Sequence, residues 1–88
     1  HELFGKNIVF TGNFSEHKEV LEAMASKKGA IVKGNVSGKT DIVVTGEVDL
    51  KVSPSGITTK ERKARELIEN GKNITLIDEL GFRSFYSE

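Results

Sequence analysis

The chain has 88 residues, 36% of them hydrophobic and 30% charged, which predicts one globular domain with a modest core and no deep enclosed active site. The 13 basic residues equal the 13 acidic ones, which argues against a protein that coats nucleic acid through its whole surface and leaves a focused anion site open. No cysteine is present, which excludes a disulfide scaffold and a Cys-based zinc site, and no apolar run reaches the roughly 18 residues of a membrane helix.

A strand, a helix and a second strand are predicted first. Residues 7–11 are a short apolar run typical of a buried strand. Ser15 is a candidate N-cap for the helix that follows, and Gly29 is its natural end. The predicted apolar face of that helix comprises Val20, Leu21, Met24 and Ala25. Residues 30–32 are expected to form the second strand.

The third strand is predicted at residues 41–45, and a loop follows at 47–57. Its length is typical of functional or mobile loops. Thr58 or Thr59 caps the next helix, which Gly71 ends. The apolar stripe of that helix comprises Ala64, Leu67 and Ile68.

The fourth strand is predicted at residues 74–77, and Asp78 caps a short last helix. The side chains expected to pack inward from this end are Leu80, Phe82, Phe85 and Tyr86. The order is then β-α-β-β-α-β-α, and both main strands are continuous apolar runs, as in a sheet covered on both faces. We therefore predict an α/β fold with a four-stranded parallel sheet between two helical layers.

The turn at Thr11-Gly12 is the first candidate site. In open α/β sheets, ligands bind beyond the carboxyl ends of the strands, and here a glycine and a helix N-terminus follow a strand directly. The Gly12 amide and the Thr11 hydroxyl would together cradle a small anion. The alternative is that this turn only closes the strand.

The start of the second helix carries four basic residues and one acidic residue between residues 58 and 65. The helix dipole disfavours cations there, so an anionic partner explains the placement better than local stability does. Lys60 is predicted to meet Thr11 around one phosphate, with Lys63 nearby. For Arg62 and Arg65 a solvated surface position is the alternative that we favour.

No catalytic residue, metal site or cofactor is predicted. His1 and His17 are the two histidines, no Ser-His-Asp arrangement is present, and the glycines match neither a dinucleotide fingerprint nor a Walker loop. His17 is expected to be a helix-surface residue. The start at His1 without Met suggests a fragment of a longer protein, so any catalysis would lie elsewhere.

Several runs, in order and at matching spacing, resemble a BRCT domain over nearly the whole chain. They are residues 5–12 (GKNIVFTG), 29–32 (GAIV), 36–44 (VSGKTDIVV), 60–64 (KERKA) and 77–79 (IDE). The resemblance implies one BRCT domain at 1–88 with a core at about 4–86, a three-layer sandwich with sheet order 2-1-3-4. It also implies a non-catalytic module of DNA replication and repair, in the bacterial cytoplasm with the nucleoid.

The nearest resemblance is to the domains of NAD-dependent DNA ligases, the large subunit of replication factor C and exonucleases related to the polymerase III epsilon subunit. The 47–57 loop and residues 69–73 look most like the exonuclease-associated versions. Departures are the missing Trp of the last helix, which Phe82 replaces, a single glycine (Gly29) before the second strand, and Gly38 where Lys is common.

By resemblance, Thr11, Gly12 and Lys60 match the family's phosphate-binding positions. Lys18 or the adjacent His17 falls where DNA-binding members carry a basic residue, and candidate DNA contacts are Lys18, Arg62 and Lys63.

The leading hypothesis is a module that reads the 5′-phosphate of a DNA end or nick. The alternatives are phosphopeptide capture by the same pocket, docking to proteins or to other domains of the parent with an unused pocket, and, least favoured, a nucleotide-using enzyme. No membrane or metal partner is expected.

Overall fold

The computed structural model describes residues 3–47 and 57–84. Four strands and three helices alternate along these segments in the predicted order. They are β1 (Asn7–Thr11), α1 (Lys18–Lys27), β2 (Ile31–Val32), β3 (Ile42–Thr45), α2 (Thr59–Glu69), β4 (Thr75–Asp78) and α3 (Glu79–Arg83).

The four strands form one parallel sheet in the order β2-β1-β3-β4, which confirms the predicted fold and strand order. Thr11 at the end of β1 pairs with Thr45 of β3, and Thr45 pairs with Asp78 of β4. Three strands therefore end at one level and form a carboxyl edge from which their loops depart. The opposite edge, where β1 and β3 begin, is called the amino edge below.

Side chains alternate between two cores, one on each face of the sheet. Ile8 and Phe10 of β1 point into the cluster that also holds Leu21 and Phe82, whereas Val9 points into the cluster that holds Ala64. Phe10 is 2% exposed, and its ring lies edge-on to that of Phe82 with the centroids 5.1 Å apart. Burial of both faces explains why the strands are continuously apolar.

Helix α1 begins later than the sequence predicts. It starts at Lys18 with His17 at the N-cap, and no side chain caps it. Ser15 was the wrong choice because its hydroxyl and amide bind Glu79, 64 residues along the chain. Leu21 and Ala25 are buried as predicted, but Val20 is 44% exposed and does not belong to the apolar face.

Helices α2 and α3 carry the predicted caps. The Thr58 hydroxyl accepts from the Glu61 amide, which settles the choice between Thr58 and Thr59, and the Asp78 carboxylate accepts from the Gly81 amide at 2.7 Å.

The apolar predictions for these two helices are confirmed in part. Ala64 is fully buried and Leu67 packs against its core, but Ile68 is 37% exposed. Phe82 is fully buried, whereas Leu80 is 77% exposed and the prediction that it packs inward is wrong.

Two predictions concern parts of the chain that lie outside the described residues. These are the packing of Phe85 and Tyr86 and most of the 47–57 loop, of which residues 48–56 are not described. No helix in the two described segments is long and apolar enough to cross a bilayer.

Candidate functional site

Two turns cross in close contact at the carboxyl edge. Gly12 has a φ of 98°, and a Cβ at this position would lie 3.0 Å from the backbone of Gly46. A Cβ on Gly46 would lie 2.3 Å from the carbonyl oxygen of Asn13. Asn13 and Glu47 exchange two backbone hydrogen bonds of 2.8 Å each. The glycines thus allow the β1–α1 turn to be fixed against the residues that follow β3.

The end of β1 is joined to the start of α2 by a pair of hydroxyl groups. The Thr11 hydroxyl donates to the Thr58 hydroxyl oxygen at 2.7 Å, and that oxygen also accepts from the Glu61 amide at 3.1 Å. Thr11 is 6% exposed, so this contact lies at the margin of the core. Two elements 47 residues apart in sequence thereby meet at the predicted site.

The Thr58 hydroxyl still has a hydrogen to offer. A hydroxyl carries one hydrogen and two acceptor lone pairs, and in Thr58 both lone pairs are engaged by Thr11 and Glu61. An anion at this edge therefore meets the Thr58 hydrogen first, and the Thr11 hydroxyl reaches it only by leaving Thr58. The sequence predicted Thr58 as a cap but not as a donor, because the donor role depends on its contact with Thr11 of β1, which local sequence does not encode.

The Gly12 amide and the Lys60 ammonium are the other two groups of the predicted cradle. Within residues 3–47 and 57–84 the Gly12 amide has no intramolecular acceptor. Lys60 is the second residue of α2, is partly buried, and forms no ion pair with any described residue. The fold thus places Lys60 two residues beyond Thr58, the residue that Thr11 contacts.

The acidic residue among the cations of α2 is neutralised within the helix. Glu61 is 7% exposed, and its carboxylate binds the Arg65 guanidinium at 2.9 Å, one turn along the helix. This pairing assigns Arg65 a local role and agrees with the surface alternative for that residue. Lys60, also in the first turn of α2, has no carboxylate partner among the described residues.

Of the candidate DNA contacts, Lys18 lines a cleft together with the glycine turn. A cleft of about 400 Å³ is lined by Gly12, His17 and Lys18 together with the intervening loop. Lys63 is exposed on α2, and Arg62 is exposed with its amide bonded to the Thr58 carbonyl oxygen at 3.0 Å. Lys18 therefore shares a cleft with Gly12, whereas the side chains of Lys63 and Arg62 lie on the outer surface of α2.

The β1–α1 loop is held from the side by α3. Glu79 accepts from the Ser15 amide at 2.9 Å and from its hydroxyl, and Arg83 bridges Glu79 and Glu16 at 3.0 Å each. The Ser15 hydroxyl and amide, followed by Arg83, lower the pKa of Glu79. The two carboxylates raise the pKa of Arg83. The loop that follows Gly12 is thereby pinned at Ser15 and Glu16.

The rest of the carboxyl edge is acidic. A second cleft, of about 420 Å³, lies beyond the ends of β3 and β4 and is lined by Glu47, Asp78 and Glu79. The carboxylates of this cleft disfavour an anion there. In the described segments no three metal-ligating side chains come together.

Comparison with known proteins gives one family and a set of bacterial relatives. The model of the BRCA1 C Terminus (BRCT) domain matches residues 3–82. A DNA ligase of Campylobacter jejuni is 37% identical over 86 residues, which is 98% of this chain and 11% of the ligase. A DNA ligase of Afipia carboxidovorans is 45% identical over 64 residues, 72% of this chain and 8% of the ligase. A third DNA ligase, from Alkaliphilus metalliredigens, is 29% identical over 83 residues, which is 91% of this chain and 11% of the ligase. The chain therefore spans about a tenth of the length of these relatives.

Proposed function

The chain belongs to the BRCT family, whose members are binding domains without catalysis, and from that premise we propose that it reads the 5′-phosphate of a DNA end or nick. The proposal that the phosphate belongs to DNA rests on the relatives, which are DNA ligases, although this chain matches only a small part of each. The catalysis of a parent protein would then lie outside this domain. The finer assignment to an exonuclease-associated protein stays a prediction.

The observation that carries the proposal is the hydrogen bond between the Thr11 and Thr58 hydroxyls. It fixes the glycine turn of β1 against the N-terminus of α2, so the Gly12 amide and the positive end of a helix dipole lie together. Lys60 supplies a full positive charge from the first turn of that helix. A phosphate dianion is the ligand that such a set of short donors and one ammonium suits best.

A phosphate that binds both threonines requires an exchange at the hydroxyl pair. The Thr58 hydrogen is available at once, whereas the Thr11 hydrogen is released only when its bond to Thr58 is broken. Because a charge-assisted hydrogen bond is about twice as strong as a neutral one, exchange toward phosphate is favourable. The bound state therefore uses Gly12, Lys60 and one or both threonines.

Affinity for a recessed DNA duplex with and without a 5′-phosphate tests the proposal. A phosphate held by a lysine and by short donors contributes about 1.5–3 kcal/mol, so we expect the phosphorylated end to bind about 10- to 150-fold more tightly. Lys60→Ala removes most of that preference. Lys27→Ala is the matched control, because Lys27 is an exposed lysine in the last turn of α1 and its loss should leave the preference intact. Equal affinities of the unmodified protein for the two ends would overturn the proposal.

One observation favours a second candidate function, docking to a protein with the pocket unused. Thr11 is 6% exposed and its hydroxyl hydrogen is already engaged by Thr58, which is also what a purely structural contact would show. In that case Lys60→Ala leaves both DNA binding and partner binding unchanged. A loss of 5′-phosphate preference in this variant excludes the candidate.

A further inference from the structure

Three lysines gather at and beside the amino edge of the sheet, away from Thr11. Lys39 and Lys72 precede β3 and β4, and Lys33 follows the short β2 at the level of Val9. Lys33 and Lys39 line a cleft of about 380 Å³ together with Asn7 and Ser37. The third, Lys72, approaches the same loop, since a Cβ on Gly38 would lie 3.9 Å from its Nζ atom. Lys33, Lys39 and Lys72 are called the amino-edge patch below.

The charges of the amino-edge patch are not neutralised within the described part of the chain. None of the three ammonium groups forms an ion pair there, and all three side chains are exposed. Asp41 contributes a carboxylate to this region; it is partly buried and accepts from the Asn7 amide at 2.8 Å. Glu69 ends α2, three residues before Lys72. In a chain of zero net charge, the amino edge is therefore basic and the carboxyl edge, with Glu47, Asp78 and Glu79, is largely acidic.

The loop that carries Lys39 is held in one conformation by its own hydrogen bonds. Thr40 is 4% exposed, and its hydroxyl accepts from the Ser37 amide at 2.9 Å, while its amide donates to the Ser37 carbonyl oxygen at 3.1 Å. The Asn7 side chain donates to the Lys39 carbonyl oxygen at 2.9 Å. Val36, 2% exposed, anchors the loop in the core. Lys39 is thus presented at a fixed position and loses little backbone freedom on binding.

We propose that the amino-edge patch binds the phosphate backbone of duplex DNA, as a second contact surface separate from the Thr11 site. Among the described residues, the lining of its cleft is polar, with amides and hydroxyls beside the lysines and no aromatic anchor of the kind on which protein interfaces depend. This combination suits a polyanion held by charge and hydrogen bonds. The identification of the polyanion as DNA rests on the proposed function.

The spacing of the two surfaces fits one duplex. Residues Asn7 to Thr11 of β1 separate the two edges by about 13 Å at 3.3 Å per residue. Successive phosphates of one strand advance by about 3.4 Å along the helix axis, so about four base-pair steps cover that distance. A duplex whose 5′-phosphate lies at Gly12 and whose axis runs along β1 therefore brings backbone phosphates to the level of Lys39.

Salt dependence of binding separates this surface from the Thr11 site. Affinities for the recessed duplex, with and without its 5′-phosphate, are measured by fluorescence anisotropy between about 50 and 200 mM NaCl. Each phosphate contact contributes about 0.9 to the slope of log K against log salt, so Lys33→Ala/Lys39→Ala/Lys72→Ala should lower the slope by about 2.7. Over that fourfold rise in salt, the variant should lose about 40-fold less affinity than the unmodified protein. Its preference for the 5′-phosphate should be unchanged.

Two controls separate the contacts from net charge and from charge type. Ala23→Glu lowers the net charge by one on the exposed middle of α1 and is compared with the single variant Lys39→Ala, which lowers it by one in the patch. Lys39→Ala should lower the slope by about 0.9, whereas Ala23→Glu should leave it unchanged. The triple Lys→Arg variant of the patch keeps the charges and should restore the slope.

Each outcome decides between the two sites. A triple alanine variant with the unmodified slope overturns the amino-edge patch and leaves the 5′-phosphate site standing if the phosphate preference persists. A reduced slope with no 5′-phosphate preference in any protein supports the patch and overturns the Thr11 site. Absence of DNA binding by the unmodified protein at the lowest salt overturns both.

Discussion

Replacing Thr58 by alanine perturbs the contact that joins β1 to α2. The substitution removes an oxygen that accepts two hydrogen bonds, one from the Glu61 amide at 3.1 Å and one from the Thr11 hydroxyl at 2.7 Å. The first bond caps α2, and the second gives the buried Thr11 hydroxyl its acceptor. Both losses destabilise the folded state.

The expected loss in free energy of unfolding follows from these two bonds. An N-cap Thr→Ala change costs about 1 kcal/mol. The Thr11 hydroxyl, 6% exposed, is left without its partner, which costs about 1–2 kcal/mol more. Their sum of about 2–3 kcal/mol lowers the Tm of a domain of this size by about 10–20 °C.

Urea unfolding of four proteins isolates the hydroxyl pair: the unmodified chain, Thr11→Val, Thr58→Ala and the double variant. If Thr11 donates to Thr58, then in the Thr11→Val background Thr58→Ala should lose only the stabilisation from the helix cap. The coupling free energy between the two substitutions should then be about 1–2 kcal/mol. Thr58→Ser keeps the oxygen and should stay within about 0.5 kcal/mol of the unmodified protein. Additive effects, with a coupling below about 0.5 kcal/mol, would refute the reasoning.

Two further predictions concern the carboxyl edge. Gly46→Ala places a Cβ 2.3 Å from the Asn13 carbonyl oxygen and should lower the free energy of unfolding in urea by at least about 1–3 kcal/mol. Gly34→Ala meets open space and should lower it far less. Equal losses in the two variants would contradict the close approach at Gly46. The Ser15 hydroxyl and amide lower the pKa of Glu79 from its ordinary value of 4.5, so the stabilisation they give is complete above that value and is lost as the pH falls through the lower pKa of the folded state. The Ser15 amide resonance should titrate with a midpoint below 4.5 and lose that transition in Glu79→Gln, and a midpoint at or above 4.5 would count against the contact.

The sheet was predictable because its signals are local. Residues 7–11 and 42–45 are apolar on both faces, which is the pattern of a strand covered on both sides, and the structure places helices there. Asp78 capped α3 as predicted, since an N-cap acts on a residue three positions away. The strand order came from the family resemblance.

The errors arise where a long-range partner overrides a local preference. Ser15 has the composition of an N-cap, but Glu79 offers it two hydrogen bonds, and α1 begins only at Lys18. Leu80 was assigned to the core by its hydrophobicity alone, and in the short α3 Phe82 takes the inward position instead.

The candidate site was predicted in outline but not in its hydrogen bonds. Thr11, Gly12 and Lys60 were singled out from a strand end, a glycine and a cation at a helix start. The contact between Thr11 and Thr58 spans 47 residues and depends on how α2 docks against the sheet. Whether these groups bind phosphate stays a prediction.

The Gly12 amide resonance in a titration with DNA tests the central claim most directly. The amide has no acceptor among the described residues, so a phosphate that binds it should shift its resonance strongly downfield. We predict this shift with a recessed duplex carrying a 5′-phosphate, its absence with the 5′-hydroxyl duplex, and its loss in Lys60→Ala. An unchanged Gly12 resonance at a phosphorylated-duplex concentration that saturates binding would contradict the account.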